Sequence, residues 1–281
     1  MKTAHISAFP LFALLLRIYD YFVLYAGLIW LGFLSLCWTL IASVLYPLLP
    51  ERKALYFGRY VIMISFRLYL ASLSLSQRCS FDLTELDSLR NEPPLILAPN
   101  HPCLLDAVMI ISRLPNVACV MKSALMNNVF LGAGARLARY IPNEPIRHMV
   151  IQATKDFKTG SHLLLFPEGT RTVRAPINAL KGSIALIAQK AKVPVQTVII
   201  ETNSPYLSKG WSLFRKPVMP VRYKVRLGKR FSPPENTHQF MTELEDYFKD
   251  VLKQDTASMS LSENSGAPTI VTSNFDSTIQ L

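Results

Sequence analysis

A histidine followed five positions later by an aspartate, in Asn100-His101-Pro102-Cys103-Leu104-Leu105-Asp106, is one of two short stretches of this chain whose residue types could do chemistry. A carboxylate bound to one ring nitrogen of an imidazole fixes the tautomer and leaves the other nitrogen free to take a proton from a hydroxyl. The second stretch is Phe166-Pro167-Glu168-Gly169-Thr170-Arg171-Thr172. There Gly169 permits close backbone approach, Arg171 can grip a phosphate or carboxylate through paired hydrogen bonds, and Glu168 can orient that arginine or bond a substrate hydroxyl. A proton acceptor and an anion clamp are both present. Taken singly, each stretch also has a plain structural explanation: a helix-start histidine near an incidental charge, and a surface turn with an exposed ion pair. No Gly-x-Ser-x-Gly surround marks a serine nucleophile, so a substrate hydroxyl can itself be the attacking group. Cys103 would allow a covalent route that a histidine base makes unnecessary.

Both stretches need a scaffold. Leu95-Ile96-Leu97-Ala98 fits a buried strand that Pro99 ends, and Pro102 suits the first turn of the helix that follows, where its missing N–H has no partner. Residues five apart on a continuous helix do not face each other, so the imidazole reaches Asp106 only if the chain ahead of that helix is irregular. The run Leu163-Leu164-Leu165-Phe166 places the second stretch at the carboxyl end of a strand, where ligands of open α/β sheets gather. Short apolar runs at 95–98, 117–121, 162–166, 195–201 and 221–227 alternate with helical patterns at 106–113, 124–139, 147–157, 178–190 and 242–253. That alternation predicts an α/β domain. In 221–227 the apolar residues alternate with Arg222, Lys224 and Arg226, which predicts a strand with one packed and one cationic face.

The domain is preceded by an apolar region. Residues 21–50 contain no Asp, Glu, Lys, Arg or His, and a spanning helix needs about 20 apolar residues. Tyr21, Tyr25 and Tyr46 lie near its edges, as interfacial aromatics do. A cleaved signal peptide would have a shorter apolar core and a small-residue cleavage site. A second apolar stretch, 54–76, is broken by Arg59 and Arg67 and suits a helix lying in the membrane interface, so a monotopic hairpin competes with a span. Glu51, Arg52, Lys53, Arg59 and Arg67 follow the first run, a basic bias that puts the downstream domain in the cytoplasm. The polar segment 77–94, with its breaker Asn91-Glu92-Pro93-Pro94, leads into the catalytic core. The expected organisation is a membrane-anchoring helical region at 1–76, a catalytic domain at 77–253, and a disordered tail at 254–281 rich in Ser, Thr and Asn.

The 281 residues carry a formal net charge of +11. Between Thr202 and Pro234 there is no acid, while Lys209, Arg215, Lys216, Arg222, Lys224, Arg226, Lys229 and Arg230 all fall there. Such a window suits anionic head groups or an acidic carrier protein, and a solvated basic face is its plain alternative. Nucleic acid is not expected, because no nucleic-acid-binding motif accompanies the charge. Four scattered cysteines and five scattered histidines give neither a disulfide framework nor a metal site.

Together the two motifs resemble those of the glycerolipid acyltransferase family, which includes 1-acylglycerol-3-phosphate acyltransferases. The His-x-x-x-x-Asp element falls on His101 and Asp106, and the second block on Phe166-Pro167-Glu168-Gly169-Thr170-Arg171. Weaker blocks fall on Leu180-Lys181-Gly182 and Val193-Pro194-Val195, so the resemblance covers 95–201. It departs between the motifs: Lys122, Leu125, Phe130 and Gly132 are present, but Val129 stands where a proline is common, and Ile141-Pro142-Asn143 replaces an Ile-acid-Arg ending. The resemblance implies a mixed sheet flanked by helices, with an N-terminal apolar helical anchor. It implies transfer of a fatty acyl group from an acyl-CoA or acyl-carrier-protein thioester to the hydroxyl of a lysophospholipid such as 1-acylglycerol-3-phosphate, at a membrane, in phospholipid biosynthesis. His101 would be the general base and Asp106 its orienting partner. Glu168, Gly169, Thr170 and Arg171 would bind substrate, Arg171 through a phosphate, with Lys122 and Lys181 as helpers and backbone N–H groups around Gly169 stabilising the oxyanion. The thioester is a substrate, and no cofactor or metal is implied. Because the departing region is tied to the acceptor, the same chemistry on a glycolipid, aminoacyl lipid or specialised lipid stays open, and because fold and function are separable, so does a non-catalytic membrane lipid-binding protein.

Overall fold

The computed structural model describes residues 9–212 and 215–264. Two long helices, α1 (Phe9–Leu48) and α2 (Glu51–Leu75), form a hairpin turned at Pro50. The domain follows with β1 (Cys79–Asp82), a 3-10 turn (Thr84–Asn91), β2 (Ile96–Pro99), α3 (Asp106–Ile111), β3 (Val117–Met121), a second 3-10 turn (Ser123–Asn127), α4 (Gly132–Leu137) and β4 (Ile141–Pro142). It ends with α5 (Ile146–Phe157), β5 (His162–Leu164), α6 (Ser183–Ala191), β6 (Val195–Thr202), β7 (Val221–Phe231) and α7 (Thr237–Asn264).

The strands make one mixed sheet in the order β1-β7-β6-β2-β5-β3-β4, parallel throughout except for β6 against β7. Strand β2 lies between β5 and β6, and Ile96, Leu97 and Ala98 are wholly buried, as expected of a parallel strand covered on both faces. Alternate residues of the sheet feed two cores. Leu97, Leu164 and Val198 pack with α1 to α4, whereas Ile96, Leu163 and Ile199 pack with α5, α6 and α7. Parallel pairing of Leu97 with Leu164 brings the carboxyl ends of β2 and β5 to one edge, so the two motifs emerge side by side.

Several elements depart from the sequence expectation, each for a local reason. The polar segment before Pro94 contains an edge strand, since β1 pairs with β7 from Cys79 to Asp82. The helical pattern at 124–139 splits, because Asn128 Oδ1 accepts the Phe130 N–H at 2.9 Å and breaks the run ahead of α4. The expected helix from Asn178 starts instead at Ser183, and the Asn178 N–H is held by Glu168 at 2.9 Å. Helix α7 continues past Gln254, where the tail was expected to be disordered, to Asn264. Residues 237–264 hold no Gly or Pro, and the first breakers are Gly266 and Pro268. The rest of that tail, 265–281, lies outside the described residues.

Helices α1 and α2 are each long and apolar enough to cross a membrane. Helix α2, however, is more than an interfacial strip. It exposes Tyr56, Phe57, Tyr60 and Leu68 but buries Arg59 against the domain, and the arginine explains why. Its Nε donates to the Ala138 carbonyl at 3.0 Å, Nη1 to Asn116 Oδ1 at 2.9 Å and Ser161 Oγ at 2.7 Å, and Nη2 to Asp156 Oδ2 at 2.9 Å. Every arm of the buried cation is satisfied, as such burial demands. Helix α1 is fastened at two levels. Near its start Tyr19 bonds the Ser76 carbonyl at 3.1 Å and Asp20 pairs with Arg78 and with Lys216, the latter at 2.6 Å. Further along, Thr39 Oγ1 donates to the Phe130 carbonyl at 2.8 Å. At a rise of about 1.5 Å per residue, Asp20 and Thr39 are roughly 28 Å apart, so that length of α1 lies along the domain.

Candidate active site

The chain from Pro102 to Leu105 is irregular and α3 begins at Asp106, so the helix opens four residues later than Pro102 suggests. The irregular stretch lets the imidazole fold back: His101 Nδ1 and Asp106 Oδ2 are 2.7 Å apart. Asp106 is fully buried and also accepts from the Cys103 N–H at 2.9 Å and from Cys103 Sγ at 2.9 Å. Burial raises the Asp106 carboxyl above the ordinary carboxylate range, against the pull of His101 and Cys103. Burial and the neighbouring carboxylate push the Cys103 thiol well above its usual value. It therefore holds its proton and serves as a donor to Asp106. The imidazole stacks on Phe166 with ring centres 3.9 Å apart, so the second motif supports the first.

A tighter link runs through Glu168, which is buried and accepts three hydrogen bonds from the protein. Oε1 takes the His101 N–H at 3.0 Å and the Thr172 hydroxyl at 2.7 Å, while Oε2 takes the Asn178 N–H. Thr172 returns a bond from its N–H to the His101 carbonyl at 2.8 Å. Burial raises the Glu168 carboxyl, and the three donors oppose that rise. On the opposite flank the Asn100 side chain donates to the Ile200 carbonyl at 3.0 Å and accepts the Ile200 N–H at 2.7 Å. The amide thus continues the β2–β6 ladder past Pro99 and sets where His101 begins.

Arg171 leaves the turn in the other direction. Its Nη1 donates to the carbonyls of Leu207 and Ser208 at 2.8 and 3.0 Å, in the loop between β6 and β7. Gly169 has φ +67, a conformation costly to residues with a Cβ, and its N–H is taken by the Phe166 carbonyl at 3.0 Å. That amide is therefore engaged within the turn.

A cavity of about 560 Å³ opens at this edge. His101, Gly169, Thr170, Arg171 and Lys122 lie on its wall, as does Lys209, whereas its inner part is apolar and runs between α1, α2, α3 and β3 past Trp38, Ile62, Val108 and Tyr140. Glu168 and Lys181 stand behind the turn. Lys181 donates its N–H to the Pro167 carbonyl at 2.7 Å and lays its stem where a Cβ at Gly169 would come within 3.4 Å. Of the expected substrate residues the structure gathers four at one cavity, buries Glu168 and leaves Lys181 exposed off the cavity wall. Sequence reasoning gave Leu207, Lys209 and Asn178 no place in the site. The only signal for Lys209 was its position in the acid-free basic window.

The mixed α/β sheet thus sets a His–Asp pair and a glycine–arginine turn at the mouth of an apolar cavity. The Acyltransferase family model matches residues 80–201, the stretch that carries both motifs, in keeping with the resemblance drawn from them. A 1-acyl-sn-glycerol-3-phosphate acyltransferase of Saccharomyces cerevisiae (strain ATCC 204508 / S288c) is 27% identical over 172 residues, 57% of this chain. The chain spans 56% of that relative's length. In fold, the chain is similar to the 1-acyl-sn-glycerophosphate (LPA) acyltransferase PlsC from Thermotoga maritima, known from a crystal structure. The TM-score is 0.56 at 17% identity, covering 86% of this chain and 96% of that one.

Proposed function

We propose that this protein is a membrane-associated O-acyltransferase that moves a fatty acyl group from an acyl-CoA or acyl-carrier-protein thioester to the hydroxyl of a lysophospholipid such as 1-acylglycerol-3-phosphate. The observation that carries this reading is the 2.7 Å contact of His101 Nδ1 with buried Asp106, at the mouth of a cavity whose rim is cationic and whose depth is apolar. Asp106 accepts the Nδ1–H, which leaves Nε2 as the base. Nε2 takes the acceptor's hydroxyl proton as its oxygen attacks the thioester carbonyl, the C–S bond breaks, and the proton passes to the departing thiolate. The products are a new ester and a free thiol. The apolar depth suits an acyl chain, and Arg171 at the rim suits a phosphate.

The fastening of α1 along the domain supports a hairpin set against one leaflet over a span that would pull the domain into the bilayer, and the basic residues after the first apolar run favour the cytoplasmic side. Because the segment after Lys122 departs from the family pattern, a phosphate-free lipid acceptor is the second reading.

The test uses the full chain in phospholipid vesicles with a labelled acyl thioester, supplied as the coenzyme A or the carrier-protein form, and lysophosphatidate. Wild type is expected to yield labelled phosphatidate, and His101→Ala to remain folded and membrane-bound while losing it. Turnover retained in that variant would sink the mechanism. No product with either donor would move the search to other acceptors.

A further inference from the structure

The loop between β6 and β7 crosses both motifs. Leu207, buried and held at φ +60, turns its carbonyl to accept the Leu104 N–H at 3.1 Å and Arg171 Nη1 at 2.8 Å. A left-handed residue with a branched side chain is strained and persists where its surroundings fix it. Here the fixing groups come from the first motif, through Leu104, and from the second, through Arg171. The loop is braced further by turns from Ser208 N–H to Pro205 O at 3.0 Å and from Trp211 N–H to Ser208 O at 3.1 Å, and by an edge contact of Tyr206 on Trp211. Lys209 sits inside this braced segment and lies on the cavity wall with Arg171, Lys122 and His101.

The charge balance of that wall is one-sided. Among the described residues it contains three cations, Lys122, Arg171 and Lys209, and no Asp or Glu. Lys209 and Lys122 make no ion pair among the described residues, whereas Lys216 of the same loop is held by Asp20 at 2.6 Å. Among the described residues Arg171 spends only Nη1 on the protein, so its other guanidinium donors are left for a ligand. Cations gathered at the rim of an apolar pocket without a counter-charge make an anion site, and a phosphate with its several acceptor oxygens satisfies more than one of them at once.

We propose that Lys209 is a substrate-binding residue of this site: a third cation, delivered by the β6–β7 loop through the Leu207 carbonyl, that pairs with a substrate phosphate alongside Arg171. This rests on the acyltransferase reading. The phosphate can belong to the acceptor or to a coenzyme A donor, and the two sources are separable by experiment.

Full-length wild type, Lys209→Gln and Lys209→Arg are compared in vesicles at varied acceptor and donor. The acceptors are lysophosphatidate and the matching phosphate-free monoacylglycerol, and the donors are an acyl-CoA and the acyl thioester of N-acetylcysteamine, which carries no phosphate. Lys209 is exposed, so both variants are expected to fold. The expected result is a rise in KM of Lys209→Gln of about tenfold for the phosphate-bearing substrate, the size of one lost hydrogen bond to a charged group, with kcat within about twofold. Lys209→Arg should restore most of it. A rise for lysophosphatidate with both donors assigns the phosphate to the acceptor, and a rise confined to the acyl-CoA assigns it to the donor. Unchanged KM values, or equal losses with the phosphate-free pair, would overturn the proposal while leaving the acyltransferase reading intact. Failure of wild type to acylate any of these acceptors would overturn both.

Discussion

Glu168 Oε1 accepts the backbone N–H of His101 at 3.0 Å, across 67 positions of sequence. The carboxylate of the second motif therefore fixes the main chain from which the imidazole of the first projects. With Thr172 and Asn178 on its remaining lone pairs, Glu168 is a joint between two strand ends. In the proposed reaction its role is to position the base.

Replacing Glu168 with Gln keeps the shape but turns an amide N–H₂ against a donor, either the Asn178 N–H or the pair from His101 and Thr172. A buried donor left unpaired costs about 1–3 kcal/mol of stability. A small displacement of the base lowers kcat/KM by about a hundredfold. Urea unfolding and steady-state kinetics on the same preparation read the two effects, and wild-type kinetics in a destabilised variant would show that the joint matters only for folding.

For the base itself, His101→Ala is expected to lower kcat by roughly 10²–10⁴-fold, the range of general base catalysis. Asp106→Asn should lose nearly as much, because the amide can present a donor to Nδ1 and favour the wrong tautomer. A radiometric acyl-transfer assay measures both, and an Asp106→Asn enzyme with full activity would rule out the orienting role.

Arg59 and Asp156 hold α2 to the domain at 2.9 Å. Arg59→Leu leaves the Asp156 carboxylate without its cation and should cost about 3–5 kcal/mol, as removal of one partner of a buried pair does. Asp156→Leu in the Arg59→Leu background should recover part of that loss. Thermal unfolding of the two singles and the double tests this, and strict additivity would mean that the two residues are not coupled.

His162 supplies a pH dependence whose sign is fixed. Its Nε2 donates to the Leu89 carbonyl at 2.9 Å, its Nδ1 is buried without a partner among the described residues, and burial holds its pKa below the ordinary 6.5. The unfolded chain then binds the proton more readily than the folded one, so His162 contributes stability above the unfolded value that is lost as pH falls toward the folded one. Wild type should lose more stability than His162→Gln between about pH 7.5 and 5.5. Equal losses would remove His162 as the cause.

Much of this arrangement was legible because it is local. The His101–Asp106 pair lies within one turn of chain, the glycine turn follows an obvious apolar run, and the α/β alternation reads directly from 95 to 201. What stayed hidden depends on distant segments. Nothing near Glu168 reveals that it turns inward to His101, since its donors come from residues 101, 172 and 178. Strand β1 is short and sits in a polar stretch, and it exists because β7 lies beside it. Arg59 looked like a break in an apolar helix, because the groups that satisfy it arrive from Asn116, Ala138, Asp156 and Ser161. Lys209 had a charge but no address until the loop folded over both motifs.

Leu31, Leu34, Ser35 and Trp38 of α1 line the same cavity that His101 guards. The helix that would hold the protein at the lipid is also one side of the vessel in which the proposed chemistry would take place. A soluble fragment made by cutting away α1 would lose that wall with its anchor, exposing the apolar interior to water and leaving an acyl chain with no lining along one flank. On the proposed reading, attachment and catalysis would be inseparable by truncation: whatever loosens α1 from Asp20 to Thr39 reshapes the cavity.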